Sequence, residues 1–379
     1  MNDSCGPNLK MSEQVEVRAR GSAPGIGAVL LKFRAFVALI AIMILFAFLS
    51  PAFLTWSNLV TVLVQSSING LMAIGMTLVI VSGGIDLSVG AIAGLCGMIV
   101  GGLIDVGVPI PSLGVVIYPH AWAVVVIGIG AGAFIGAING FIITKMKVAP
   151  FIATLGMLYI ARGAALLSNN GSTFPFLDGI KAHGNQGFPW LGDGLVLHIP
   201  VPIWLLAIAT VLVAGIANRT TFGRHVYAVG GNERAAALSG VKVQSVQARV
   251  YVISGALSAL AGIVIAAQLE SAGAAAGSGY ELNAIAAAVL GGTSLMGGKG
   301  TVSGSVIGAL VIAVLVDGLI LLGVSDFWQM IITGLVIVIA VAIDQVQFNA
   351  DKFPWRKRRG EKVTPEQDRR AVAPSNSEE

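Results

Sequence analysis

An all-α bundle that crosses a membrane about ten times is what this chain encodes, as a polytopic transmembrane protein with both termini on the cytoplasmic side. Three observations carry that expectation. Only 11% of the 379 residues are charged, against about 25% in a soluble domain. The mean hydropathy is +0.85. Apolar runs of ~20 residues recur along most of the length, as crossing ~30 Å of hydrocarbon by helix requires. These runs are continuous and not alternating, which argues against a β-barrel.

In chain order, residues 1–30 form a polar tail with Lys10, Arg18, Arg20 and Pro24. The tail lacks an apolar core followed by a small-residue cleavage site, so no removable signal peptide is read, and the first span is expected to act as an uncleaved anchor. Spans are expected at 31–49, 57–81, 85–104, 121–143, 150–168, 200–217, 249–268, 283–298, 301–323 and 327–346. The eighth is short and broken by glycine. Together they make a transmembrane domain at 31–346, followed by a basic, polar tail at 347–379. Cys5 and Cys96 are too distant in kind and position to suggest a disulfide framework or a metal site.

The basic residues test this layout. With the N-terminus inside, all but Arg162 and Lys181 of the 23 lysines and arginines fall on inner segments. They sit in 1–34, at Lys145 and Lys147, in 218–249, at Lys299 and in the C-terminal tail, as the positive-inside rule demands. The net charge of +4 therefore concerns orientation and anionic lipid, not nucleic acid. The outer connections are short except 169–199, which holds Asn169, Asn170, Gly171, Pro175, Pro189 and Trp190 and either connects, caps the outer face or receives a partner.

Small residues recur at a spacing of four. Gly128, Gly132, Gly136 and Gly140 do so, as do Gly300, Gly304 and Gly308, and Gly90 with Gly94. Such rows let helix backbones approach closely in lipid. Two other glycine patterns fail as nucleotide sites. Gly128, Gly130 and Ala133 lie inside a span with no strand before them. In GGTSLMGGKGT (291–301) the Walker spacing puts Thr293 where glycine belongs and Gly300 where serine or threonine belongs. No cofactor is expected, and any ATP would be bound by another chain. The four histidines are scattered, and neither H-E-x-x-H nor G-x-S-x-G occurs, so no catalytic set is read.

Segment 218–249 is the longest inner connection. Asn232 suits an N-cap, Glu233 the first turn, Ala235, Ala236, Ala237 and Leu238 a helix, and Gly240 the C′ position. A helix of about two turns is predicted there. Gly223, Arg224, Ala228, Gly231, Asn232, Ala235, Ala236 and Gly240 together resemble the coupling loop of permease subunits of monosaccharide-type ABC importers, the ribose/xylose/arabinose/galactose class. VSGGIDLSVGAIAG (81–94) is similar to that family's signature segment, and LNAIAAAVLGGTSLMGGKGTVSGSVIGAL (282–310) to its second glycine-rich region. The resemblance runs from about residue 35 to 346. It implies a multi-pass protein of the bacterial inner membrane that works with a cytoplasmic ABC ATPase, a periplasmic or extracellular sugar-binding protein and a second permease copy, most simply as a homodimer. It also implies that the 232–240 helix, with Glu233, seats in the ATPase.

Asp86, beside Gly83 and Gly84, interrupts an apolar run at the inner end of a span. Three readings stay open. Its carboxylate accepts from the N–H groups of residues 88 and 89 at a new helix start; it pairs with an inner basic residue; or it lines the route and binds sugar hydroxyls. Shifting the sequence by 214 positions lays Gly83 and Gly84 on Gly297 and Gly298, a pattern of paired breaks that marks transport pathways. Candidate pathway or break residues are Gln65 and Asn69, which share a helix face, with Gly83, Gly84, Asp86, Ser88, Thr293, Gly297 and Gly298. Asn139 and Asn283 also lie near membrane depth, and Arg162 and Asp317 are candidate partners. The expected function is import of a small sugar or polyol. A permease for amino acids or nucleosides, a secondary transporter or channel, and a membrane enzyme are the alternatives.

Overall fold

The structure, a computed structural model, describes residues 34–352. The N-terminal tail at 1–30 and most of the 347–379 tail lie outside the described residues. Thirteen α-helices occur among them: α1 (Arg34–Leu49), α2 (Trp56–Val81), α3 (Val89–Asp105), α4 (Ala121–Thr144), α5 (Pro150–Leu167), α6 (Trp190–Asp193), α7 (Val201–Arg219), α8 (Thr221–Gly231), α9 (Glu233–Leu238), α10 (Val243–Gln268), α11 (Tyr280–Leu290), α12 (Val302–Leu321) and α13 (Asp326–Lys352). Two small antiparallel hairpins, β1 (Val108–Ile110) with β2 (Val115–Ile117) and β3 (Leu195–Val196) with β4 (Ile199–Pro200), and a 3-10 turn at Lys181–His183 complete the elements of the described residues. The architecture is thus an all-α bundle. Six helices, α2, α4, α5, α7, α10 and α12, are long and apolar enough to cross a membrane.

Burial ranks these helices by position. The apolar stretches of α2 and α10 are 83% and 72% buried, whereas those of α5 and α7 are 28% and 33% buried. The first two form the centre, and the others present one face outward. Glycine explains how the centre closes. A Cβ on Gly132 or Gly136 of α4 would collide with the Gly255 or Tyr251 backbone of α10, and one on Gly140 would lie 2.8 Å from Ala248 Cα. The two backbones touch with no side chain between them, the close approach that small residues permit in lipid. Gly304 and Gly308 of α12 meet Gly291 and Ala287 of α11 in the same way. Gly300 is not part of that row, because α12 begins at Val302 after a Thr301 cap whose hydroxyl accepts from the Gly304 N–H at 3.1 Å.

Helix ends gather on two opposite faces. One face holds the 82–88 turn, the α4–α5 connection, α8 and α9, and the 291–300 turn, as Gly298 against Val81 and Gly140 against Ala248 attest. The other holds the β1–β2 hairpin and segment 169–199. That segment is ordered against the bundle: Phe174 bridges Ala272, Leu177 N–H donates to Glu270 O at 3.0 Å, and Asn185 Nδ2 donates to Ile104 O at 2.9 Å. Leu177 and Phe188 are fully buried. It is a cap over the ends of α3 and α10 and not a solvated connector.

Two expected spans are re-drawn. The third begins at Val89, not at 85, because residues 82–88 are non-helical and Gly83 sits at φ +91°. The eighth, expected at 283–298, is an 11-residue helix at Tyr280–Leu290, which covers only about half a bilayer at ~1.5 Å per residue. Positive φ at Gly292, Gly297 and Gly298 ends it and forms the 291–300 turn. Ahead of it, residues 269–279 run without helix, and their carbonyls need other partners. Arg162 supplies them, donating from Nη1 to Ala274 O and to Ala276 O. The pairing expected between Arg162 and Asp317 is absent; Asp317 Oδ2 instead accepts from Asn58 Nδ2 at 2.8 Å.

Candidate coupling surface and helix-break cluster

Segment 218–249 is more structured than the sequence suggested. Thr220 caps α8, its hydroxyl accepting from the Gly223 N–H at 3.2 Å. Gly223 is at a close approach: a Cβ there would collide with the Ala217 backbone, so glycine lets α8 fold back on the end of α7. Asn232 then ends α8 and starts α9, with its Oδ1 accepting from the Ala235 N–H at 3.0 Å. Gly240 follows the Ser239 cap at φ +84°, the left-handed conformation that suits glycine at C′. Glu233 stands in the first turn, favourable to the positive end of the helix dipole.

In α9 only Ala236 is buried, and Leu238 is 91% exposed. Arg224, Gly231, Asn232, Glu233 and Ala235 are exposed with it. A short, capped helix of small residues thus projects from the bundle with one bare leucine near its end. Beside it a groove of about 770 Å³ is lined by Phe141 and Lys145 of the α4 end, Glu233 and Ala237 of α9, and Lys242 and Ser245 at the start of α10. Leu238 was read in the sequence only as a helix former; its exposure is a tertiary property. The α8 helix was missed because its glycines mask an apolar stripe, Phe222, Val226 and Val229, that packs inward.

The second part of the site is the break at 81–90. Asp86 is fully buried, and so are Ser88, Asn139 and Ser254. Its Oδ1 accepts from the Ser88 N–H at 3.0 Å and from the Ser88 hydroxyl at 2.6 Å, and its Oδ2 accepts from the Ser254 hydroxyl at 3.1 Å. Asn139 Nδ2 donates to Ser88 Oγ at 2.9 Å. The carboxylate therefore ties the break to α10 and, through Ser88, to α4. Of the two amide bonds expected at the new helix start, only that from Ser88 forms. Asp86 stands three residues before α3 begins at Val89, with Ser88 in the cap position, and organises the turn instead of capping α3 itself. Ser254 escaped the sequence reading, although Tyr251, Ser254 and Ser258 mark one polar stripe on the apolar stretch of α10 at 250–267.

The candidate pathway residues do not converge on one point. Gln65 and Asn69 lie midway along α2, about 21–27 Å of helix rise from Gly83. Gly84 packs against the Tyr251 side chain. Thr293 is fully buried and borders Gly300, while Gly297 and Gly298 lie against Gly230 and Gly231 of α8. Among the described residues, the buried Asn69 Oδ1, Asn139 Oδ1, Tyr251 hydroxyl and Thr293 Oγ1 have no hydrogen-bond partner.

A family model described as "Branched-chain amino acid transport system / permease component" matches residues 58–341. The chain is 42% identical over 315 residues to the ribose import permease protein RbsC of Escherichia coli strain K12, covering 83% of this chain and 94% of that one. To RbsC of Bacillus subtilis strain 168 it is 45% identical over 317 residues, covering 84% and 94%. To the D-allose transport system permease protein AlsC of E. coli K12 it is 37% identical over 321 residues, covering 83% and 92%. No solved structure matches the chain. With an apolar helical bundle and a family match over three quarters of its length, the chain belongs to the permease-component family of ABC transporters.

Proposed function

We propose that this chain is the membrane half of an ATP-driven importer of a small sugar or polyol, resident in the bacterial inner membrane. Support for the solute class comes from relatives similar over nearly their whole length, which are named for ribose and D-allose. The observation that carries the coupling is α9. It is exposed on all but one residue and capped at both ends, a form suited to seating in a partner. Within this reading the partner is the cytoplasmic ATPase, α9 is its contact through Asn232, Glu233, Ala235 and Leu238, the buried Ala236 seats α9 on the bundle, and Gly223, Arg224, Gly231 and Gly240 shape the approach. The chain crosses ten times, with residues 269–290 counted as one crossing. Both termini are cytoplasmic in this reading: Lys145, Lys147, Arg219, Arg224, Arg234, Lys242 and Lys299 belong to the connections on the α8–α9 side, which supports an inner α8–α9 face, and an even number of crossings returns the chain to it. A second copy of the chain completes the pathway, and a secreted binding protein delivers the solute to the opposite face.

The test is uptake by proteoliposomes holding the chain, its ATPase and its binding protein. D-ribose and D-allose are expected to accumulate with ATP and binding protein both present, and not with either alone. The family description names branched-chain amino acids, so leucine uptake in place of sugar would transfer the solute class while leaving the coupling intact.

A further inference from the structure

Two helix breaks that are remote in sequence meet beneath α8. The first is the end of α2, where Ser82 and Gly84 N–H groups close on Leu78 and Val79 carbonyls and Gly83 turns left-handed at φ +91°. The second is the 291–300 turn between α11 and α12, with φ +81° at Gly297 and +71° at Gly298. Gly298 N–H donates to Val81 O at 2.9 Å, so the two breaks are bonded directly.

The last turn of α8 lies across that bond. A Cβ on Gly230 would collide with the Val81 carbonyl and sit 2.7 Å from Gly298 N. A Cβ on Gly297 would lie 2.8 Å from Gly230 O, and one on Gly298 would lie 2.8 Å from Gly231 Cα. One turn earlier, the Tyr227 hydroxyl donates to Gly300 O at 2.9 Å. Main chain therefore rests on main chain at three elements, with no side chain between them to change rotamer and absorb a displacement. Close-packed contacts of this kind transmit strain. Asn232, the cap of α9, is two residues beyond Gly230.

We infer that Gly230 and Tyr227 are positioning residues that carry a displacement of α9 into both helix breaks at once, making the α2 end and the 291–300 turn move as one body. This rests on the reading of α9 as the element that meets the ATPase. The joint accounts for glycine at 230, 297 and 298 by contact. It also gives the two similar segments of the sequence a shared task, since both breaks answer to one helix.

The test is hydrogen–deuterium exchange on the intact permease–ATPase complex in nanodiscs, with and without ATP plus vanadate, read on peptides spanning 79–84, 293–300 and 233–240. In the unaltered complex the nucleotide is expected to shift exchange in all three together. With Gly230→Ala the shift at 233–240 persists and is lost at both breaks. Tyr227→Phe, which removes one oxygen and alters no packing carbon, reduces the shift at 293–300 more than at 79–84, and it decides the matter alone if Gly230→Ala fails to assemble. Gly215→Ala, whose Cβ meets nothing within 4 Å, leaves all three shifts unchanged. A response at 233–240 without one at the breaks in the unaltered complex overturns the joint, as do variants that keep the response at both breaks. Silence at 233–240 itself overturns the coupling reading of α9, and the joint with it.

Discussion

Replacing Asp86 separates a structural carboxylate from one that grips cargo. Three donors converge on it: the Ser88 N–H, the Ser88 hydroxyl and the Ser254 hydroxyl. Asp86→Ala removes both acceptor oxygens, and with them all three hydrogen bonds, inside a fully buried site. The Ser254 hydroxyl can turn to a carbonyl of its own helix, as serines in helices do. The Ser88 N–H cannot turn, and a stranded buried donor costs about 1–3 kcal/mol. With about 1 kcal/mol lost for each redirected hydroxyl, the total comes to roughly 3–5 kcal/mol. Asp86→Asn keeps Oδ1 for both Ser88 donors and offers an N–H to the Ser254 oxygen, so its cost is about 1 kcal/mol. The assay is unfolding of the purified chain in mixed micelles, followed by tryptophan fluorescence against SDS mole fraction, with the yield of folded protein beside it. The order of stability is expected to be unaltered chain, then Asn, then Ala. Equal stability of all three, together with a changed preference between D-ribose and D-allose, would refute a turn-organising role and make Asp86 a solute contact.

Other expectations follow from the same contacts. Gly136→Leu drives a side chain into the Tyr251 backbone, and its cost in the same unfolding assay should exceed the ~1–3 kcal/mol of ordinary overpacking. At Gly130 on the same helix a Cβ meets nothing within 4 Å, so Gly130→Ala should unfold with the unaltered chain. Arg162→Ala leaves the Ala274 and Ala276 carbonyls without their donor and should lower stability by about 2–4 kcal/mol, with Arg162→Lys in between. Asn232→Leu combined with Glu233→Leu loses a cap worth about 1 kcal/mol, inserts normally and abolishes uptake; normal uptake by that pair would exclude α9 from coupling.

Much of the fold was legible because lipid imposes a simple requirement. A crossing must be apolar and helical, so composition located every long helix, and the Asn232 cap and Gly240 terminus were readable from local chemistry. The eighth crossing was misread at both ends. Hydropathy reports what a segment avoids, not whether it is helix: 291–298 were counted in a helix that ends at Leu290, and 269–279, with Glu270, Ser271 and Ser278, were left out although Arg162 satisfies the Ala274 and Ala276 carbonyls there. Partners were the other gap. Asp317 pairs with Asn58 and Asp86 with Ser254 across distant helices, and nothing local in the sequence encodes which helix faces which. The echo between Gly83 and Gly297 was weak evidence as a pattern of glycines. It acquires weight from the matching left-handed turns and from the bond between Val81 and Gly298.

On the proposed function this chain moves a small sugar with energy taken from ATP on a partner and passed through α9. The direct measurement is D-ribose and D-allose accumulation in proteoliposomes containing the chain, its ATPase and its binding protein, with no ion gradient imposed. Uptake that requires ATP and binding protein, and that vanishes in the Asn232→Leu, Glu233→Leu variant, is the predicted result. Uptake driven by a proton or sodium gradient without ATP, or ATP-driven uptake unaffected by that variant, would contradict it.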